Sequence, residues 1–174
     1  SELLRDMREV KLPYELELIN KAQEITDAAF AHILSFISPD VTEQDVALEL
    51  EFFMRQHGAE ATAFDTIAVS GASSSLPHGV PRNKKLSRGF LTMDFGAKYN
   101  GYCSDMTRTV IFGEPDSRQK EIYEIVLKAQ LAAFLIFDGK NVKKDSEKDC
   151  YIYNFTSGRK TFNIRLDTSE GLEK

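Results

Sequence analysis

Two cysteines, Cys103 and Cys150, are all that the 174 residues contain, too few and too widely spaced for a disulfide framework or a zinc-finger pattern. A reducing, cytoplasmic setting is the expectation. Apolar runs are short as well. The longest, LAAFLIF from Leu131 to Phe137, falls far short of the ~20 residues a membrane-spanning helix needs, so no membrane partner is expected. The amino terminus opens on mixed charge instead of a signal sequence. It begins with Ser and not Met, from which we expect that an upstream portion has been removed. Basic residues are outnumbered, 22 against 27 acidic ones for a net charge of −5. That excludes a domain-wide basic footprint for nucleic acid and favours a peptide or small-molecule partner.

What is present is ordinary for a globular protein: 42% hydrophobic and 28% charged residues, enough for one domain with a core and a small appendage. Pro13 suits a first helical position, and apolar residues then recur at Leu18, Ile19, Ala22, Ile25, Ala29, Ile33, Phe36 and Ile37, predicting an amphipathic helix that ends at Ser38-Pro39. Thr42-Glu-Gln-Asp45 reads as a capping box for a second helix with a stripe at Val46, Leu50, Phe53 and Met54, closed by His57-Gly58. His32 and His57 have plain helical explanations and are left out of any site.

Phe64 to Val69 reads as a strand, followed by the loop ASSSLPHGVP. Pro77, Gly79 and Pro81 around His78 restrict the backbone on one side and permit close approach on the other, so the loop is suited to presenting an imidazole firmly. The basic run Arg82, Lys84, Lys85 and Arg88 reads as a solvated, mobile connection with no site role.

Leu91 to Val110 then reads as two strands joined at Asn100-Gly101, a strong signal for a two-residue turn because both residues tolerate φ > 0. A tight turn makes the numbers of opposed residues sum to 201. Asp94 and Asp105 become diagonal neighbours on one face, about 7–8 Å apart at the backbone, while Leu91, Phe95, Met106 and Val110 share the other. Two carboxylates aimed at one point repel unless a cation lies between them, and hard oxygen ligands suit Mn, Mg, Zn or Ca. The bland alternative is a solvated face with two surface aspartates. A third apolar stripe, Ile122 to Ile136, follows. The order helix, helix, strand, hairpin, helix predicts an α+β fold with helices packed on one side of an antiparallel sheet.

SSSLPHGVP, DFG and YNGYCSDMTRT, in this order and spacing, closely resemble the pita-bread metallopeptidases, the family of methionine aminopeptidase, aminopeptidase P, prolidase and creatinase. The leucine-proline-histidine-glycine and SDMTRT wording is nearest the Xaa-Pro peptidase branch. The resemblance covers about Met7 to Ala133. It implies that residues 1–137 are the front half of a catalytic domain for metal-dependent hydrolysis of peptides or dipeptides with proline at the second position. It also implies two divalent ions, manganese first and cobalt or zinc as alternatives. Asp94 and Asp105 would be two of five metal ligands, the histidine and two glutamates coming from the second half along with the catalytic base. His78 would line the substrate pocket and help stabilise the transition state without binding metal. Thr107, facing Asp94, would support that carboxylate. One departure is the missing acidic residue after Gly89, an apparent deletion that the loop absorbs or that disturbs the start of the strand.

From Asp138 onward no such resemblance remains. GKNVKKDSEKD reads as a charged linker, and YIYNFTSGRKTFNIRL as a small β-hairpin around Ser157-Gly158. No histidine follows His78, so the chain is expected to be truncated, and weakly active or inactive by itself. The alternative is a non-catalytic peptide-binding module of the same fold. A third reading is a truncated gene product whose uncovered surface favours homodimerisation.

Overall fold

Pro13 begins a long helix because a first-turn residue has no use for its amide proton, and a Thr-x-x-Asp box begins the next. In the computed structural model, which describes residues 2–137, 142–145, 150–157 and 160–167, a short helix α1 (Glu2–Glu9) precedes them. Helix α2 spans Pro13–Phe36 and α3 spans Glu43–Gln56. The Leu12 N–H donates to Glu15 Oε2 at 2.6 Å, closing the start of α2. At α3 the Asp45 N–H donates to Thr42 Oγ1 (3.1 Å) while the Thr42 N–H donates to Asp45 Oδ2 (2.7 Å), a cap worth about 1 kcal/mol. Helix α3 stops at His57, and Gly58 turns the chain away at φ 104°.

Two three-stranded antiparallel sheets follow in the same unit, which runs to Pro115. Strands β1 (Ala61–Thr62), β2 (Ile67–Ser70), β3 (Gly89–Phe95), β4 (Ala97–Tyr99), β5 (Tyr102–Cys103) and β6 (Met106–Phe112) pair in the orders β1-β4-β5 and β2-β3-β6. Burial alternates along β3: Leu91, Met93 and Phe95 are fully buried, and Thr92 and Asp94 between them face the other way. Helix α2 packs on β4 and β5, and α3 on β1 and β2. Ile25, Ala29 and Ile33 of α2, Val46, Leu50 and Met54 of α3, and the inward side chains of β3 therefore form one core with Met106. Each large side chain so buried stabilises the fold by roughly 1.5–3 kcal/mol.

Asn100 (φ 46°) and Gly101 (φ 83°) both occupy the left-handed region, as a primed turn requires. Tyr99 pairs with Tyr102 and Lys98 with Cys103, then Phe95 with Met106 through to Gly89 with Phe112. Every one of these pairs keeps the register that the turn predicts. The ladder is unbroken from Gly89, so the missing acidic residue leaves the start of the strand intact.

The hairpin nevertheless belongs to two sheets and not one. The step lies at Gly96, where a Cβ would meet the Ser104 carbonyl oxygen at 2.1 Å; without a side chain the two backbones can cross there. The Ser104 N–H donates to the Ala97 carbonyl (2.9 Å), which bridges the break.

Other expectations are corrected. The strand placed at Phe64 begins only at Ile67, because residues 63–66 carry the chain from one sheet to the other, with the Ala63 N–H donating to the Gly96 carbonyl at 2.8 Å. The basic run is not a loose connection. The Glu43 N–H donates to the Lys84 carbonyl (3.0 Å) and the Leu86 N–H to the Val41 carbonyl (3.1 Å), while Arg82 grips Glu43.

The second unit, from Asp116, starts with α4 (Ser117–Phe137), capped by the Gln119 N–H donating to Asp116 Oδ1 at 2.8 Å. Strands β7 (Val142–Asp145), β8 (Cys150–Ser157) and β9 (Lys160–Asp167) form an antiparallel sheet in that order. Part of the charged stretch read as linker is thus the strand β7. Ser157 pairs with Lys160; the expected turn residue Gly158 lies outside the described residues. Among the described residues no helix is long and apolar enough to cross a membrane.

Candidate metal centre

Asp94 projects from the face of β3 opposite Leu91, Met93 and Phe95, with Thr107 directly across on β6 and Ile67 across on β2. Its Oδ1 is buried without a hydrogen-bond partner, a condition shared among the described residues only by Thr66 Oγ1. Burial pushes the Asp94 carboxyl above its usual range; the Thr107 hydroxyl opposes this, the charge of Asp105 adds to it and His78 opposes it. An unpaired buried acceptor costs on the order of 1–3 kcal/mol, more when charged. A cation in front of it reverses that penalty.

Asp105 lies between β5 and β6 and is exposed, so its own contacts do not fix it. Its neighbour does. The Ala97 N–H donates to Ser104 Oγ (2.9 Å), the Ser104 hydroxyl meets that of Thr26, and the Thr26 hydroxyl donates to the Ala22 carbonyl (3.0 Å). Both hydroxyl residues are buried, and run in that direction the chain of donors leaves none of its members unpaired. At the hairpin tip the Tyr102 hydroxyl donates to Glu15 Oε1 (2.7 Å) and the Gly101 N–H to Glu60 Oε1 (3.1 Å). An exposed carboxylate is therefore presented on a backbone tied to α2.

His78 arrives from the long connection 71–88, which opens with a 3-10 turn at Gly71–Ser75. A Cβ on Gly79 would stand 2.9 and 3.0 Å from the two Val69 methyl groups. Val69 pairs with Thr92, two residues along β3 from Asp94 and on the same face. The bare glycine thus lets the loop lie flat on the sheet face that carries Asp94, leaving the neighbouring imidazole exposed. Asp105 and His78 are the two other groups whose charges bear on the Asp94 carboxyl. His32 and His57 lie elsewhere: His32 Nε2 is 2.6 Å from Glu49 Oε1, and His57 Nδ1 donates to the Phe53 carbonyl (2.8 Å) at the end of α3.

Two carboxylates, one with an unsatisfied buried oxygen, are a donor set that fits a hard divalent cation. Among the described residues no cluster of three or more His, Cys, Asp or Glu side chains could hold a metal ion. Sequence reasoning passed over Glu43, Arg82, Ser104 and Thr26. Only Ser104 carried a local hint, its place beside Asp105; the others act through residues distant in sequence.

The family model of metallopeptidase family M24 matches residues 17–144. An uncharacterised peptidase of Bacillus subtilis is 49% identical over 131 residues, 75% of this chain and 37% of that protein. The Xaa-Pro dipeptidase of Pyrococcus furiosus is 47% identical over 134 residues, 76% of this chain and 38% of that protein. Among solved structures, an Xaa-Pro dipeptidase from Bacillus anthracis has a TM-score of 0.72 at 54% identity, covering 75% of this chain and 37% of that one. The prolidase from Pyrococcus furiosus has a TM-score of 0.72 at 46% identity, with 75% and 39% covered. The chain spans less than two fifths of the length of these two curated relatives. Its mixed helices and antiparallel sheets are part of the pita-bread fold of those neighbours, and the chain belongs to metallopeptidase family M24.

Proposed function

We propose that this chain supplies the front part of the catalytic domain of an Xaa-Pro dipeptidase or Xaa-Pro aminopeptidase, acting on peptides or dipeptides with proline at the second position. Asp94 and Asp105 hold divalent metal, manganese first and cobalt or zinc as alternatives, and His78 contacts the substrate. One observation carries the reading: the Oδ1 of Asp94 is buried without a partner, and the charges of Asp105 and His78 bear on that carboxyl. The relatives' names supply the substrate class.

The chemistry drawn from two bound divalent ions is polarisation of the scissile carbonyl and activation of water near neutral pH. Asp94 and Asp105 would fix where that happens, each backed by ladder or hydroxyl contacts that hold its backbone still. His78, exposed at the edge of the same face, is free to donate to an oxyanion as it develops. A histidine ligand would come from outside this stretch, since none follows His78, and we place the further ligands and the general base there with it. We place the domain boundary near residue 137, and the protein in a reducing, cytoplasmic setting in keeping with its few cysteines.

Titration of the purified chain with Mn, Co and Zn ions tests the reading. Weak binding is expected, lost in Asp94→Asn and in Asp105→Asn, with negligible turnover of an Xaa-Pro dipeptide. Binding that survives both substitutions would refute the ligand assignment, and clear turnover would refute the need for further residues.

A further inference from the structure

Strands β2 and β3 are antiparallel neighbours, and a few residues would suffice to join them. The chain instead spends residues 71–88, with His78 near the middle of that stretch. A connection of that length holds a side chain in place only if its ends are fixed. One side chain fixes both. Glu43, the first residue of α3, has none of its side-chain surface exposed. Its Oε1 accepts from the Ser70 N–H (2.9 Å), the Ser70 hydroxyl (2.9 Å) and Arg82 Nη2 (2.8 Å), and its Oε2 from the Arg82 N–H (3.2 Å) and Nε (2.8 Å). Ser70 is the last residue before the connection, and Arg82 lies four residues beyond His78.

The backbone repeats the grip. The Gln44 N–H donates to the Arg82 carbonyl (3.2 Å), and the Ser87 N–H donates to Ser70 Oγ (2.9 Å). A carboxylate at the amino end of a helix is also favoured by the peptide dipoles. Burial alone would push the Glu43 carboxyl up, but the Arg82 guanidinium, the Ser70 donors and the Arg82 N–H outweigh it and hold the group down at about 2. A buried ion pair seldom adds much net stability over apolar packing, and its best-attested use is to specify one geometry.

We propose that Glu43 and Arg82 are positioning residues for His78, a two-ended clamp that sets the 71–81 loop against the Asp94 face. The inference rests on the reading of that face as the metal and substrate site. Arg82 touches neither Asp94 nor Asp105 in this arrangement and acts through the loop.

Amide hydrogen exchange on the purified chain tests it, with Arg82→Ala and Arg82→Lys beside the unchanged protein. Arg82→Ala should speed exchange at residues 72–80 by at least about tenfold, a local opening, while the amides of Leu91, Met93 and Val110 stay protected. Arg82→Lys, which keeps the cation and loses the fork, should fall between. Equal acceleration in the loop and in those strands would mean a general stability role, and an unchanged loop no role; either overturns the proposal. Should Arg82→Ala fail to fold, Arg82→Lys carries the same comparison. A second readout is broadening of the histidine ring signals by added Mn ions. His78 alone should broaden, and Arg82→Ala should lose that effect without losing Mn binding; persistent broadening overturns the proposal. If Mn broadens no histidine in the unchanged chain, the metal reading fails, and the exchange comparison still decides the clamp.

Discussion

Two carboxylates of this molecule, Glu43 fully buried and Asp94 half-buried, are treated in opposite ways. Glu43 meets five donors and is held down at about 2, whereas Asp94 has a buried oxygen that meets none and is pushed up. Burial acts against the charge in both cases, and the more deeply buried group is the one held down. What distinguishes them is whether the protein itself supplies the positive partner. Where it does, the group is a structural anchor; where it does not, the proposed metal would be the partner.

The sharpest way to break that contrast is to remove each carboxylate. Glu43→Ala takes the acceptor from the Ser70 donors and from the half-exposed Arg82 and should cost about 2–3 kcal/mol, read as a large drop in thermal midpoint. Asp94→Asn, in metal-free buffer, should leave stability unchanged or slightly higher, because it relieves a charge with no partner. A loss for Asp94→Asn comparable to that for Glu43→Ala would mean that Asp94 is also a structural anchor.

Acid sharpens the same contrast. Glu43 has a folded value of about 2 against an ordinary 4.5, so between those values the unfolded chain binds more protons. Its contribution is present above the ordinary value and is lost as pH falls towards 2, on the order of 3 kcal/mol in all. Urea midpoints across that window should fall steeply in the unchanged protein and less steeply in Glu43→Gln.

Gly96 comes next in size. Its missing side chain lets β3 step into β4 beside Asp105, and the obstacle is the Ser104 carbonyl at 2.1 Å, a backbone atom that cannot rotate away. Gly96→Ala should cost about 1–3 kcal/mol or somewhat more, checked by denaturant unfolding. Metal binding should weaken with it, since Asp94 and Asp105 lie on either side of the step.

How far the sequence could be read follows the range of the forces involved. Pro13, the Thr42 to Asp45 box and Asn100-Gly101 act through neighbours within a few residues, and each produced the element it signals. The hairpin register then followed from the turn. Glu43 is the counterexample: beside Thr42 it looks like any first-turn acid, and its partner Arg82 is 39 positions away. Nothing local marks Arg82 as different from Lys84 or Lys85. Gly96 did carry a signal, since glycine inside a strand pattern points to close backbone approach. The continuous alternation of hydrophobic residues masked it.

The smallest effect belongs to the hydroxyl relay behind Asp105. Ser104→Ala leaves the buried Ala97 N–H without its acceptor, which should cost about 1–2 kcal/mol. Thr26→Val, nearly the same shape, removes only the next link and should cost less. Because the two hydroxyls bond to each other, the double substitution should cost less than the two separate losses combined, a coupling of at least about 0.5 kcal/mol, measured from urea midpoints. Additive losses would show that the hydroxyls act separately. The same proteins test the contrast between the carboxylates once more: Asp105 is presented by the backbone that Ser104 anchors, so Ser104→Ala should loosen Mn binding more than Thr26→Val does. Glu43, which has its partners within the protein, should keep its hydrogen bonds in both.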